Sequence, residues 1–210
     1  MTYSTVAVAN AFIERGIGGQ IPNLSPMKLQ KLIFFAQSWS LRIFDRPLVD
    51  EFFAKWEYGP VIPSLYHSIK EYGSSNVNSH VYTLEFHDDG GMERTNPTVP
   101  SDDVWTHRLI DSIVTVYGCM PATYLSKLTH LPGSAWSQAS IEGSVIDNNL
   151  LKDCIIIEEG RFFGARDFGF HFDIDKMECR VKDDFVTVPN GLQSVDDMDK
   201  WLDEVIAGDS

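Results

Sequence analysis

Ser25-Pro26-Met27-Lys28-Leu29-Gln30-Lys31-Leu32-Ile33-Phe34-Phe35-Ala36-Gln37 reads as the opening of a long helix. The Ser25 hydroxyl can accept from the free N–H groups of the first turn, and Pro26 suits the first helical position, where no N–H is needed. Leu29, Leu32, Ile33, Ala36, Trp39 and Ile43 then recur in the i, i+3, i+4, i+7 rhythm of a helix with one buried stripe. Carried to Phe44, such a helix is about 28 Å long. Asp45-Arg46-Pro47 stops it. Lys28, Lys31, Ser38 and Arg42 fall opposite much of the stripe. They form either the solvated side of an amphipathic helix or a basic face for phosphates or an acidic partner.

The elements on either side follow from the same signals. A first helix starts at Ser4 or Thr5 and stops at Gly16, and a glycine- and proline-broken loop leads to Leu24. Phe52 to Tyr58 is aromatic and bounded by Gly59-Pro60, which predicts a short strand. Pro63 opens a third helix that Gly73 closes. Val81 to Phe86 alternates, Asp88-Asp89-Gly90-Gly91 marks a turn, and a returning strand would complete a β-hairpin insertion. Ser101 is the expected cap of a fourth helix, with Asp102 and Asp103 in its first turn and Trp105, Leu109, Ile113 and Val116 inward, ending at Gly118. A fifth helix runs from about Pro121 to His130, a short helical turn carries Trp136, and Asp147 caps another helix.

The pattern changes after Ile155. Phe168 to Ile174 and Met177 to Val181 alternate as two strands around Asp175-Lys176, and Ser194 caps a helix with Met198, Trp201, Leu202 and Val205 on one side. The expected organisation is therefore mainly α with small β elements (α+β). Residues 1–155 form a helical domain with a β-hairpin insertion, and residues 156–210 form a C-terminal β-hairpin-plus-helix extension.

Composition narrows the function. Hydrophobic residues make up 43 % of the chain, which suits a folded protein and not a disordered one. No apolar run reaches the length of a membrane span, and residues 1–19 lack the basic-then-apolar layout of a signal peptide. Cys119, Cys154 and Cys179 are odd in number and far apart, which points to a reducing cytoplasm. Net charge is −13 and uneven, with 7 basic and 6 acidic groups in residues 1–75, 3 and 9 in 76–150, and 7 and 15 in 151–210. That argues against a phosphate-binding footprint and favours solubility or a basic partner.

Sites for chemistry are sparse. The sequence carries no dinucleotide fingerprint, phosphate loop, nucleophile elbow or paired-cysteine zinc knuckle, so no cofactor, metal or catalytic residue is expected. Asp173 and Asp175 suggest a calcium loop, but Glu178 stands where glycine is needed. His130 at a helix end either satisfies its last carbonyls or serves a nucleophile. Trp39, Phe52, Phe53, Trp56 and Tyr58 are core residues or a binding platform.

Three blocks together resemble the Panacea domain, an antitoxin family often called phage-associated and formerly a domain of unknown function. They are Met27-Lys28-Leu29-Gln30-Lys31-Leu32 with Phe35-Ala36-Gln37, then Trp56, Tyr58-Gly59-Pro60-Val61 and Pro63 with Leu65-Tyr66 and Tyr72-Gly73, and last Leu125-Ser126, Leu128-Thr129-His130 and Gly133-Ser134-Ala135-Trp136. The family usually has proline where this chain has Ala135. The resemblance covers residues 5–155 and implies a helical bacterial or phage domain. It further implies that the domain neutralises a toxin encoded beside it, by direct binding or by delivery to a protease. It brings no catalytic residues, and its matched residues read mostly as structural.

The expected function is that of a non-enzymatic antitoxin whose partner is the cognate toxin of the adjacent gene. A protease adaptor and a DNA-binding autoregulator are alternatives, the latter disfavoured by the net charge. Candidate partner surfaces are the basic set Lys28, Lys31 and Arg42 and the acidic set Asp196, Asp197, Asp199, Asp203 and Glu204. Trp201 and Leu202 could pack on the parent domain or on a second subunit, so the oligomeric state stays open.

Overall fold

A computed structural model of the chain describes residues 2–86, 91–158 and 161–162. In chain order the elements are α1 (Thr5–Ile17), α2 (Pro26–Phe44), β1 (Ala54–Trp56), β2 (Gly59–Val61), α3 (Pro63–Ile69) with a 3-10 turn at Lys70–Tyr72, β3 (Thr83–Phe86), β4 (Met92–Thr95), α4 (Val104–Tyr117), α5 (Ala122–His130), α6 (Ala135–Gln138), α7 (Asn148–Asp153), β5 (Ile156–Glu158) and β6 (Arg161–Phe162). The strands form antiparallel pairs β1–β2, β3–β4 and β5–β6. The protein is thus mainly α with small β elements. No described helix is long and apolar enough to cross a membrane.

Helix α2 is where the sequence places it. Ser25 Oγ accepts from the Lys28 N–H, Pro26 occupies the first turn, and Asp45 takes a left-handed φ of 54° at the exit. One expectation fails. The helix does not bury a single stripe but is enclosed on all sides from Lys28 to Leu41, with α1, α3, α4, α5, α7 and β2 packed around it. Around Leu29, Leu32 and Ile33 gather Val8, Phe12, Leu65, Ile110 and Leu125 as one core. Each such side chain contributes roughly 1.5–3 kcal/mol on burial. Phe35 stacks flat on Tyr117 with ring centroids 4.2 Å apart, and Trp39 Nε1 donates to the Tyr117 hydroxyl at 3.3 Å.

Two helix ends differ from the expectation. Helix α1 runs through Gly16 to Ile17, and the left-handed residue is Gly19, at φ +77°. Gly16 instead makes room for packing, since a Cβ there would meet Leu24 Cδ2 at 2.7 Å. Helix α4 is capped by Asp103, not Ser101. Asp103 Oδ1 accepts from the Thr106 N–H at 3.1 Å, and Oδ2 accepts from Thr106 Oγ1 at 2.8 Å and from the Tyr3 hydroxyl. Burial raises the Asp103 pKa, but these donors outweigh it and hold the carboxyl down at about 2. Trp105, expected inward, is 63 % exposed, and Thr106 is buried instead, on the side of Leu109, Ile110 and Ile113.

The β-hairpin insertion is present as β3–β4, in register Thr83↔Thr95 to Phe86↔Met92. Its roots are fixed by a buried side chain of α1. Asn10 Oδ1 accepts from the Val81 N–H at 2.8 Å, and Asn10 Nδ2 donates to the carbonyls of Val81 at 2.9 Å and Pro97 at 2.8 Å. The strands and helix expected between Phe168 and Val205 lie outside the described residues.

Candidate functional site: a hairpin held by three sequence blocks

The turn of the β1–β2 hairpin is the meeting point of all three sequence blocks. Gly59-Pro60, expected only as a break, forms the second strand, with Ala54↔Val61 and Trp56↔Gly59 in register. The strands are three residues each, too short to fix a hairpin by their own ladder. Side chains do it instead, each bonding to a backbone carbonyl. Trp136 Nε1 donates to the Trp56 carbonyl at 2.8 Å, His130 Nε2 lies 2.7 Å from the Glu57 carbonyl, and Ser126 Oγ donates to the Tyr58 carbonyl at 3.1 Å. Lys31 Nζ donates to the Pro60 carbonyl at 3.1 Å. Gln30 pairs with both backbone groups of Ile62, accepting from its N–H at 3.0 Å and donating to its carbonyl at 3.2 Å.

Gly59 sits at the tightest point of this arrangement. Its φ is +98°, and a Cβ on it would meet Thr129 Oγ1 at 2.7 Å, Lys31 Nζ at 2.8 Å and Lys31 Cε at 2.9 Å. Both the backbone and the space require glycine. Thr129 Oγ1 is turned inward to donate to the Ser126 carbonyl at 2.7 Å. His130 Nδ1 lies 2.7 Å from that same carbonyl, so the ring sits between the Ser126 carbonyl of its own helix and the Glu57 carbonyl of the hairpin.

The basic face is corrected. Lys28 is 2 % exposed and Lys31 1 %, because α2 has neighbours on every side. Lys28 Nζ donates to the Pro22 carbonyl at 2.6 Å. Burial alone lowers the Lys31 amine to about 7. Arg42 is half-buried and lies 3.8 Å from Asp153. Met27 is half-buried, while Leu29 and Leu32 are core. Asp196, Asp197, Asp199, Asp203 and Glu204 lie outside the described residues. The aromatic set divides between the two readings. Trp39 and Phe53 are buried, Trp56 and Tyr58 are half-buried at the turn, and Phe52 is exposed.

Ser134 caps α6 by accepting from the Ser137 N–H at 3.0 Å, which puts Ala135 at the first helical position. No N–H is needed there, so alanine serves where the family has proline. Trp136 is contacted by two side chains, His130 at 3.9 Å between ring centroids and Lys55, whose Nζ is 4.4 Å from its ring centroid. Lys55 also donates to the Ala139 carbonyl at 3.0 Å. At the apex Glu57 is exposed, and Trp56 meets Tyr66 edge-on at 5.1 Å. The geometry gives a fixed presentation of an aromatic turn with a carboxylate at its tip. Asn10 and Lys55 were not anticipated from sequence, although Asn10 interrupts the apolar run Val6 to Ile13.

Comparison with known proteins agrees with the three blocks. The family model described as antitoxin SocA-like, Panacea domain matches residues 29–137, and the chain belongs to that family. Antitoxin SocA of Caulobacter vibrioides (strain NA1000 / CB15N) is 31 % identical over 131 residues, covering 62 % of this chain and 66 % of that protein. The matched part is thus just under two thirds of that relative's length. No solved structure matches the chain.

Proposed function

We propose that this chain neutralises a protein toxin encoded by the adjacent gene, by binding it directly and without catalysing a reaction. The convergence of three blocks on one hairpin carries the reading. Gln30 and Lys31 of the first block and Ser126, His130 and Trp136 of the third engage backbone carbonyls between Trp56 and Ile62, which supports reading the shared pattern as the frame of a rigid surface. Membership of the antitoxin family supports it. A stable complex would bury on the order of 1,600 Å². We further propose that residues 156–210 are a separate extension whose acidic residues, Asp196 to Glu204, offer a second contact to a basic toxin, and that the protein acts in the cytoplasm.

The test is co-expression with the neighbouring reading frame. The expected result is that the neighbour alone arrests growth, that this chain restores growth, and that the two proteins co-purify. Rescue that disappears in a host lacking its ATP-dependent proteases assigns the chain as an adaptor instead. Independent growth phenotypes with no co-purification overturn both.

A further inference from the structure

We propose that the toxin docks on one face of the β3–β4 ribbon, and that the toxin surface it meets is apolar with a basic rim. The inference rests on the antitoxin reading above and names its contact surface.

The two faces of the ribbon are unlike. One carries Thr83, Glu85, Glu93 and Thr95, three of which are joined by hydrogen bonds. Thr83 Oγ1 and Thr95 Oγ1 are 3.0 Å apart, and Thr95 Oγ1 donates to Glu85 Oε1 at 3.0 Å. The other carries Tyr82, Leu84, Met92 and Arg94, with the Arg94 guanidinium 3.2 Å over the Tyr82 ring. In an alternating ribbon the apolar side belongs against a core. Here Tyr82 is 45 % exposed, Leu84 49 % and Met92 61 %. An uncovered apolar strip of this kind marks an interaction surface, and its aromatic and arginine residues are the types that dominate binding energy.

The ribbon is also aimed. Asn10, fully buried, grips Val81 at one root and Pro97 at the other. That grip commits a buried side chain to an element in which Leu84, Glu85, Met92, Glu93 and Arg94 are all exposed. Preorganisation lowers the ordering cost of binding. Charge selects the occupant. Residues 82–96 carry Glu85, Asp88, Asp89 and Glu93 against Arg94 alone, and residues 76–150 carry 9 acidic groups to 3 basic. Glu85 and Glu93 stand on the face behind the strip, so it is the ribbon as a whole that draws a basic protein and repels an acidic one.

The experiment uses the full chain and the purified product of the neighbouring reading frame. The double variant Leu84→Asp with Met92→Asp should bind at least ~100-fold more weakly and fail to restore growth, while Thr83→Val on the opposite face binds as wild type. Wild-type affinity in a folded double variant overturns the proposal and leaves the antitoxin reading standing. Failure of the wild-type chain itself to bind removes both. Loss of a wild-type dimer with unchanged toxin affinity assigns the strip to a second copy of this chain and overturns the proposal. A footprint on the unmutated protein serves where the variant does not fold. Peroxide oxidation of Met92 should slow about 10-fold in the complex, and an unchanged rate overturns the proposal.

Discussion

Lys31 and Gly59 are in contact because one lacks a side chain. The Lys31 ammonium lies 2.8 Å from where a Gly59 Cβ would stand, and it uses that gap to reach the Pro60 carbonyl at 3.1 Å. A cation is thereby enclosed in the core with a carbonyl as its hydrogen-bond acceptor.

That enclosure has a pH signature. Unfolded lysine holds its proton to about 10.4, whereas folded Lys31 holds it only to about 7. Between these values the unfolded state binds more protons, so stability rises with pH, and below about 7 the full penalty is present. Lys31→Met should remove this rise and be more stable at pH 7 by roughly 1–3 kcal/mol, the Pro60 carbonyl it leaves unpaired offsetting part of the gain. Urea unfolding from pH 6.5 to 9.5 checks it. Equal slopes for the two proteins would refute the claim.

Gly59 and Gly73 make a matched pair. Both have positive φ, but a Cβ at Gly73 meets nothing within 4 Å. Gly73→Ala should cost about 1–3 kcal/mol, the backbone term alone at φ 55° and ψ −118°. Gly59→Ala should cost at least about 3 kcal/mol, since Thr129 and Lys31 must also shift. Denaturant midpoints of the two variants decide it, and equal costs would mean that the close approach is unimportant.

Asn10→Ala should release the ribbon without melting the core. Two buried carbonyls and one N–H lose their partner, at about 2–3 kcal/mol. Hydrogen exchange should show the Val81 amide losing protection while the amides of α2 keep most of theirs. Uniform loss throughout would show that Asn10 supports the whole domain and not the ribbon root.

His130→Ala tests whether the histidine does chemistry. Its ring lies between the Glu57 and Ser126 carbonyls and donates to at least one of them, so the expected effect is about 1–2 kcal/mol of stability, with toxin neutralisation intact at equal folded concentration. Abolished neutralisation with unchanged toxin binding would give His130 a reactive role.

Helix α2 was legible because its cap, its proline and its apolar rhythm agree, and the three blocks were legible as a family pattern. What they surround was not. An apolar stripe shows that one side is buried but does not report what covers the other sides, and so Lys28 and Lys31 read as a surface. Their immediate neighbours held the clue, since Gln30 and Gln37 on the same helix are also polar, also buried, and bonded to backbone at Ile62 and at Leu48 and Val49. Strand β2 was missed because Gly59-Pro60 carries strong breaker chemistry, and its strand geometry is imposed by side chains distant in sequence. The same long-range control placed the α4 cap at Asp103, where Tyr3 provides the extra donor.

The spacing of those two glutamines limits how the protein can vary. Gln30 and Gln37 are separated by nearly two whole turns and face almost the same way. Adding or removing one amino acid between them would swing the second by about 100° and abandon both peptide groups it serves. Point substitutions on the outer helices can accumulate, but the central one should keep its length unchanged in any working version of this protein.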